Sequence, residues 1–226
     1  MRVIRNIART LVNIGVVFNV YELLSYLRFR GRLSDARRHG HLRLQLGSGT
    51  HDVPGWVSID MLVRKNILAM RLPAGLRRFP NESVQYIYSS HFLEHIEYPG
   101  QASEFARQCL RILKPGGAMR IVVPGIEKII RAYASDNDEF FRLQSEMHPE
   151  WCTTKLDHLM YALQQNGQHK YGYDLETITK LLSDAGFTKV VESDFNASSI
   201  GELNIDYRGK TDESGSYLSL YVDAFK

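Results

Sequence analysis

Apolar residues near the start of the chain recur at steps of three and four. Ile4, Ile7, Leu11, Ile14, Phe18 and Tyr21 fall on one face of a helix, and Val12, Val16, Val17 and Val20 widen that face. From His41 the rhythm changes. Leu42, Leu44 and Leu46 alternate with Arg43 and Gln45 ahead of a glycine-rich turn, which predicts a strand ending in a loop. Residues 56–61 and 84–89 read as further strands, and 118–123 is apolar enough for a central one. Between them, Ala102, Phe105, Ala106, Cys109, Leu110 and Leu113 make one stripe of a helix over about 101–113, stopped by Lys114-Pro115-Gly116-Gly117. A later helix takes Asp174 as its N-cap, turns Leu175, Ile178, Leu181, Leu182 and Ala185 inward and ends at Gly186. Residues 189–195 and 217–225 supply two closing strands.

Alternating strands and glycine-terminated helices predict an α/β fold: a doubly wound, mostly parallel sheet between two helical layers, with one antiparallel strand towards an edge. The chain divides into a basic amphipathic helical segment over 1–40 and one domain over 41–226. That domain is expected to carry a helical insertion on its substrate side over about 126–170, of which 148–170 reads as a helix and loop. In such sheets ligands bind beyond the carboxyl ends of the strands, near the switch in strand order.

Charge sharpens this picture. The net charge is +3, yet Met1 to Arg38 holds eight arginines against Glu22 and Asp35, a balance of +6, so the rest of the chain sums to −3. An acidic body excludes the basic stripe of a nucleic-acid binder. The basic start is too short in its charge-free run to span a bilayer and lacks the cleavage site of a secretory signal. Two readings stay open for it: a helix packed on the domain or on a second subunit, which leaves room for a homodimer, and an interfacial helix whose arginines meet anionic lipid. Cys109 and Cys152 form no metal-ligand or disulfide pattern, so no metal site is expected and a reducing, cytoplasmic setting fits, at most peripheral to the inner membrane face.

Three stretches at strand ends carry candidate chemistry. Gly47-Ser48-Gly49 after the first strand lets backbone N–H groups approach a ligand. Asp60 ends the next strand, where a carboxylate can accept from two ribose hydroxyls; Met61 follows as a cover for an adenine face and Asn66 as a partner for its edge. The third stretch is Tyr88-Ser89-Ser90-His91-Phe92-Leu93-Glu94-His95.

With Gly55-Trp56 and Leu113-Lys114-Pro115-Gly116-Gly117, these motifs in this order resemble class I S-adenosylmethionine-dependent methyltransferases over about 41–225. The chain looks most similar to the small methyltransferases that accompany polysaccharide and glycan biosynthesis. The resemblance implies a Rossmann-like three-layer fold with S-adenosylmethionine as cofactor. It places the donor's amino acid part at the Gly47–Gly49 turn, the ribose at Asp60, and the methionine side at Ser89, Ser90 and His91. One departure stands out: ten residues separate Gly49 from Asp60, and Pro54 with Gly55 shrink the helix expected there to a loop.

Methyl transfer from a sulfonium needs positioning of the acceptor and, for a hydroxyl, a base. His91, His95 and His169 are the candidates, with His169 favoured because it lies in the variable insertion. Glu94 reads as a loop anchor, the Asp157–His158 pair as a solvated helix face, and Tyr161, Tyr171 and Tyr173 as either stacking platforms or core. The expected acceptor is a sugar hydroxyl on a lipid-linked or nucleotide-linked glycan, the alternative a soluble natural product or phenolic metabolite. A nicotinamide-dependent enzyme is disfavoured, because Gly49 is followed by Thr50-His51-Asp52 instead of completing G-x-G-x-x-G. A non-catalytic partner subunit remains the rival from another class.

Overall fold

The structure, a computed structural model, describes residues 2–207 and 219–226, with side chains from Val16 onward. Helix α1 (Arg2–Arg38) precedes strands β1 (Arg43–Leu46), β2 (Val57–Asp60), β3 (Leu68–Ala69) and β4 (Val84–Ser90). Helix α2 (Gly100–Ile112) leads into β5 (Leu113–Pro124), followed by α3 (Ile126–Ala134), α4 (Asp138–Ser145) and α5 (Lys155–Gln164). Helix α6 (Leu175–Ala185) and strands β6 (Lys189–Ser193) and β7 (Ser219–Phe225) close the chain. The seven strands form one sheet in the order β3-β2-β1-β4-β5-β7-β6. All pairings are parallel except those of β7, which runs antiparallel to both β5 and β6. The order reverses between β1 and β4, so the crevice for a ligand lies beyond the carboxyl ends of those two strands.

Local chemistry explains the element ends. Asp174 caps α6 by accepting from the Thr177 N–H, and Gly186 closes that helix in the left-handed conformation. The segment 114–117 does more than stop α2: it forms a bulge at the start of β5, where pairing moves from Val84↔Leu113 to Tyr86↔Ala118. Gly116 is left-handed there, and any side chain on Gly117 would sit 2.8 Å from the Gln85 carbonyl oxygen. Residues 47–56 contain no helix, as Pro54 and Gly55 predict.

Helix α1 continues its three-and-four spacing through Glu22, Ser25, Phe29 and Leu33, which are buried, with Phe18 and Tyr21 half-buried. Ile4, Ile7, Leu11, Val12 and Ile14 lie outside the described side chains. The contact is partly polar. Ser25 Oγ accepts from the Ala69 N–H at 3.0 Å, capping the outer edge of β3, and Glu22 accepts from the Arg71 N–H at 3.2 Å. Arg28 and Arg32 donate to backbone carbonyls of Arg64 and Trp56, which ties the helix to the domain while both side chains remain exposed. Val16, Val17, Val20, Leu23, Leu24 and Leu27 face outward. No described helix is long and apolar enough to cross a membrane.

Candidate active site

Two cavities open at the carboxyl ends of the strands and share a wall. The first, about 470 Å³, is bordered by Gly47, Ser48 and Gly49 after β1, by Asp60 and Met61 after β2, and by His91, Phe92, His95, Gln101 and Tyr207. Its size is in the range of small-molecule sites. Gly47 turns at φ +68°, and the N–H groups of Gly47 and Ser48 both donate to the Ile59 carbonyl, which pins the turn to β2. Asp60 holds the turn from the other side: Oδ2 accepts from the Gly49 N–H at 2.8 Å and Oδ1 from the Leu62 N–H at 3.1 Å. Each oxygen thus spends one acceptor position on backbone and keeps another for a ligand hydroxyl.

The second cavity, about 280 Å³, is walled by Pro124, Gly125 and Ile126 at the end of β5, by His148, Tyr161 and His169 from the 126–170 region, and by His91, Glu94 and His95. His91 and His95 border both cavities. His91 adopts φ +51°, a left-handed backbone that a non-glycine residue rarely takes; its Nδ1 lies 3.3 Å from Glu94 Oε1 and its Nε2 3.3 Å from Ser219 Oγ. The Glu94 carbonyl accepts from the N–H groups of Lys170 and Tyr171, which draws the loop carrying His169 against the third motif. His169 Nδ1 faces the Ala162 carbonyl at 2.9 Å, and burial holds its imidazole below the usual histidine value.

The structure departs from several sequence expectations. Asn66 is exposed and borders neither cavity; the loop that carries it is tied to α1, where Arg28 donates to the Arg64 carbonyl. Ser89 and Ser90 are buried within β4 and also border neither, being held inside the sheet between β1 and β5. The third motif therefore meets the first cavity through His91, Phe92 and His95. Glu94 anchors its loop through its backbone, while its carboxylate faces the second cavity. His158 is not on a solvated face: it is 4% exposed and its Nδ1 meets His148 Nδ1 at 2.9 Å. Burial and the neighbouring His158 push the His148 imidazole down to about 4. Asp157 instead closes a capping box with Thr154. Tyr171 stacks on Tyr98 at 4.1 Å and Tyr173 is buried beside them, so of the three tyrosines Tyr161 alone borders the second cavity. Gln101, Tyr207 and His148 carried no motif that marked them in advance, and Phe92 lies inside the third motif without a role of its own there.

Residues 62–121 match the family model described as a methyltransferase domain. None of the curated proteins compared matches the chain. Among solved structures, the chain is similar to a SAM dependent methyltransferase from Archaeoglobus fulgidus at 16% identity, covering 91% of this chain and 94% of that one with a TM-score of 0.52. It also resembles a S-adenosylmethionine dependent methyltransferase from Mesorhizobium loti (17% identity, 83% and 91% covered, TM-score 0.45). A third similar structure is the Haemonchus contortus phosphoethanolamine N-methyltransferase 2 in complex with S-adenosyl-L-methionine (14% identity, 83% and 49% covered, TM-score 0.41). The fold is that of S-adenosylmethionine-dependent methyltransferases, and the matched segment is that of a methyltransferase domain.

Proposed function

We propose that this chain is an S-adenosylmethionine-dependent methyltransferase that holds its donor in the larger cavity and methylates a hydroxyl presented in the smaller one. The observation that carries this reading is the wall of His91 and His95 common to both cavities. A donor lying along Gly47–Gly49 with its ribose on Asp60 would place its sulfonium end towards that wall, where an acceptor can meet the methyl carbon in line. The bond from sulfur to methyl breaks as the bond from oxygen to methyl forms, and the hydroxyl proton passes to a histidine. His91 takes precedence over His169 as that base because it borders both compartments.

A sugar hydroxyl on a polysaccharide precursor remains the favoured acceptor. The smaller cavity, about 280 Å³, is on the scale of a single ring, and its polar lining is histidine, carboxylate and the Gln165 amide with Tyr161 as a flat neighbour. The outer face of α1, with its exposed valines and leucines, would rest on an anionic membrane surface near a lipid-linked substrate. Exchanging Val20 and Leu24 for glutamate should reduce the fraction pelleting with anionic vesicles severalfold. Unchanged pelleting removes the membrane from the proposal, and a drop from dimer to monomer assigns the face to a second copy.

Calorimetry with S-adenosylmethionine and its demethylated product tests the donor site directly. Asp60→Ala should weaken donor binding by at least ~1.5 kcal/mol, roughly tenfold, because charge-assisted hydrogen bonds to the ribose and the anchor of the glycine turn go together. A folded variant with the affinity of the parent would place the ribose elsewhere. Transfer of a labelled methyl group to lipid-linked or nucleotide-linked sugars, set against phenolic acceptors, decides the acceptor class.

A further inference from the structure

Glu94 is 2% exposed, and neither carboxylate oxygen has a hydrogen-bond partner. Its near neighbour His91 Nδ1, at 3.3 Å from Oε1, lies close without hydrogen-bond geometry. A buried carboxylate left in that state is costly unless a proton, a cation or a ligand completes it. The two histidines beside it are set up to complete it through a cation. His95 Nδ1 faces the Gln168 carbonyl at 3.2 Å and His169 Nδ1 faces the Ala162 carbonyl at 2.9 Å. A carbonyl oxygen only accepts, so each Nδ1 carries the proton and each Nε2 keeps its lone pair, the tautomer of a metal-ligating histidine fixed from behind by backbone. The two rings are 5.0 Å apart and inclined at 72°, and one ligand atom from each of Glu94, His95 and His169 lies within 4.8 Å of the others.

We propose that Glu94, His95 and His169 bind one divalent transition-metal ion, zinc or a neighbour of similar preference, with open coordination positions facing the smaller cavity. Two imidazoles and one carboxylate form a borderline donor set that suits such ions and leaves room for exogenous oxygen ligands. That an acceptor oxygen would fill one of those positions rests on the methyl-transfer reading; the ion binding itself does not. The sequence hid this cluster, because His169 follows the third motif only after four intervening α-helices and the pairing of Lys170 and Tyr171 with the Glu94 carbonyl brings it back.

A second histidine group, His148, Cys152 and His158, also gathers within 4.8 Å, and the test has to separate the two. The full-length chain, stripped with a chelator, is titrated with Co2+ and read by calorimetry and visible absorption. One equivalent bound without a thiolate-to-cobalt band is expected. Glu94→Gln and His169→Asn should each lower the affinity at least tenfold, while Cys152→Ser leaves it unchanged. No saturable uptake by the folded parent overturns the proposal, as does a thiolate band, or uptake that survives Glu94→Gln and vanishes with Cys152→Ser. Should the variants fail to fold, the parent's stoichiometry and spectrum still decide. Binding of the demethylated donor product, measured on the stripped chain, keeps the two readings apart: product binding without cobalt uptake sinks the ion alone, whereas cobalt uptake without product binding upholds the ion and sinks methyl transfer.

Discussion

Replacing Arg120 by methionine is expected to cost about 3–5 kcal/mol of stability, the scale seen when one partner of a buried ion pair is removed and its counter-charges stay behind. Arg120 sits in the middle of β5 with no exposed surface. Its guanidinium donates to both oxygens of Asp206, at 3.1 Å from Nε and 2.7 Å from Nη2, to Asp223 Oδ1 at 2.8 Å, and to the Asp194 carbonyl at 2.6 Å. Methionine fills much of the same space, so the loss is electrostatic: two buried carboxylates would face each other without a cation. The urea midpoint should fall with little change in slope. The damage should also reach the larger cavity. Asp206 precedes Tyr207, which borders that cavity and stacks on His51 at 3.8 Å, so donor affinity should drop even where the variant stays folded. A stability loss below ~1 kcal/mol would show that the two acids do without their arginine, contrary to the cost of burying unpaired charge.

That network also marks a boundary of what the sequence discloses. Strands and helices whose apolar spacing matches one period were readable, and so were ends built from local chemistry such as Asp174 with Gly186, or Gly47 after β1. Those signals lie within a few residues of the features they specify. Arg120 gave no such signal: a lone arginine in an apolar run reads as an interruption until Asp206 and Asp223 are brought to it by the crossing of distant segments. The junction of α1 with β3 is similar, since its contacts are Glu22 and Ser25, polar residues on a helix face whose apolar members drew attention. Ser89 and Ser90 are the opposite case. Their place in a motif was legible, but whether a strand-end hydroxyl points into a crevice or into the sheet depends on pleat and register, which flip with every residue. The shared wall of His91 and His95 needed both the third motif and the return of the chain after α5, a tertiary fact with no local correlate.

Gly47→Ala is expected to lower donor affinity by more than tenfold and to cost about 1–3 kcal/mol of stability, whereas Gly49→Ala should do much less on both counts. Both glycines are left-handed, at φ +68° and +56°, so an alanine at either position meets the same backbone strain, on the order of 1–2 kcal/mol. The difference is spatial. A Cβ on Gly47 would stand 2.4 Å from Phe92 Cγ and 2.5 Å from Phe92 Cβ, whereas a Cβ on Gly49 would meet nothing within 4 Å. Phe92 cannot swing away freely: its ring packs on Phe105 of α2 at 5.5 Å, and its backbone follows His91, itself held at positive φ. The clash must therefore be relieved either by reshaping the glycine turn or by shifting the segment that carries His91 and His95. Each route deforms the larger cavity, and the second also moves the wall it shares with the smaller one. Calorimetry with the demethylated donor product, paired with thermal unfolding of both variants, reads the two effects separately. Equal losses at Gly47 and Gly49 would mean that backbone strain alone governs this turn and that Phe92 does not hold it against the donor.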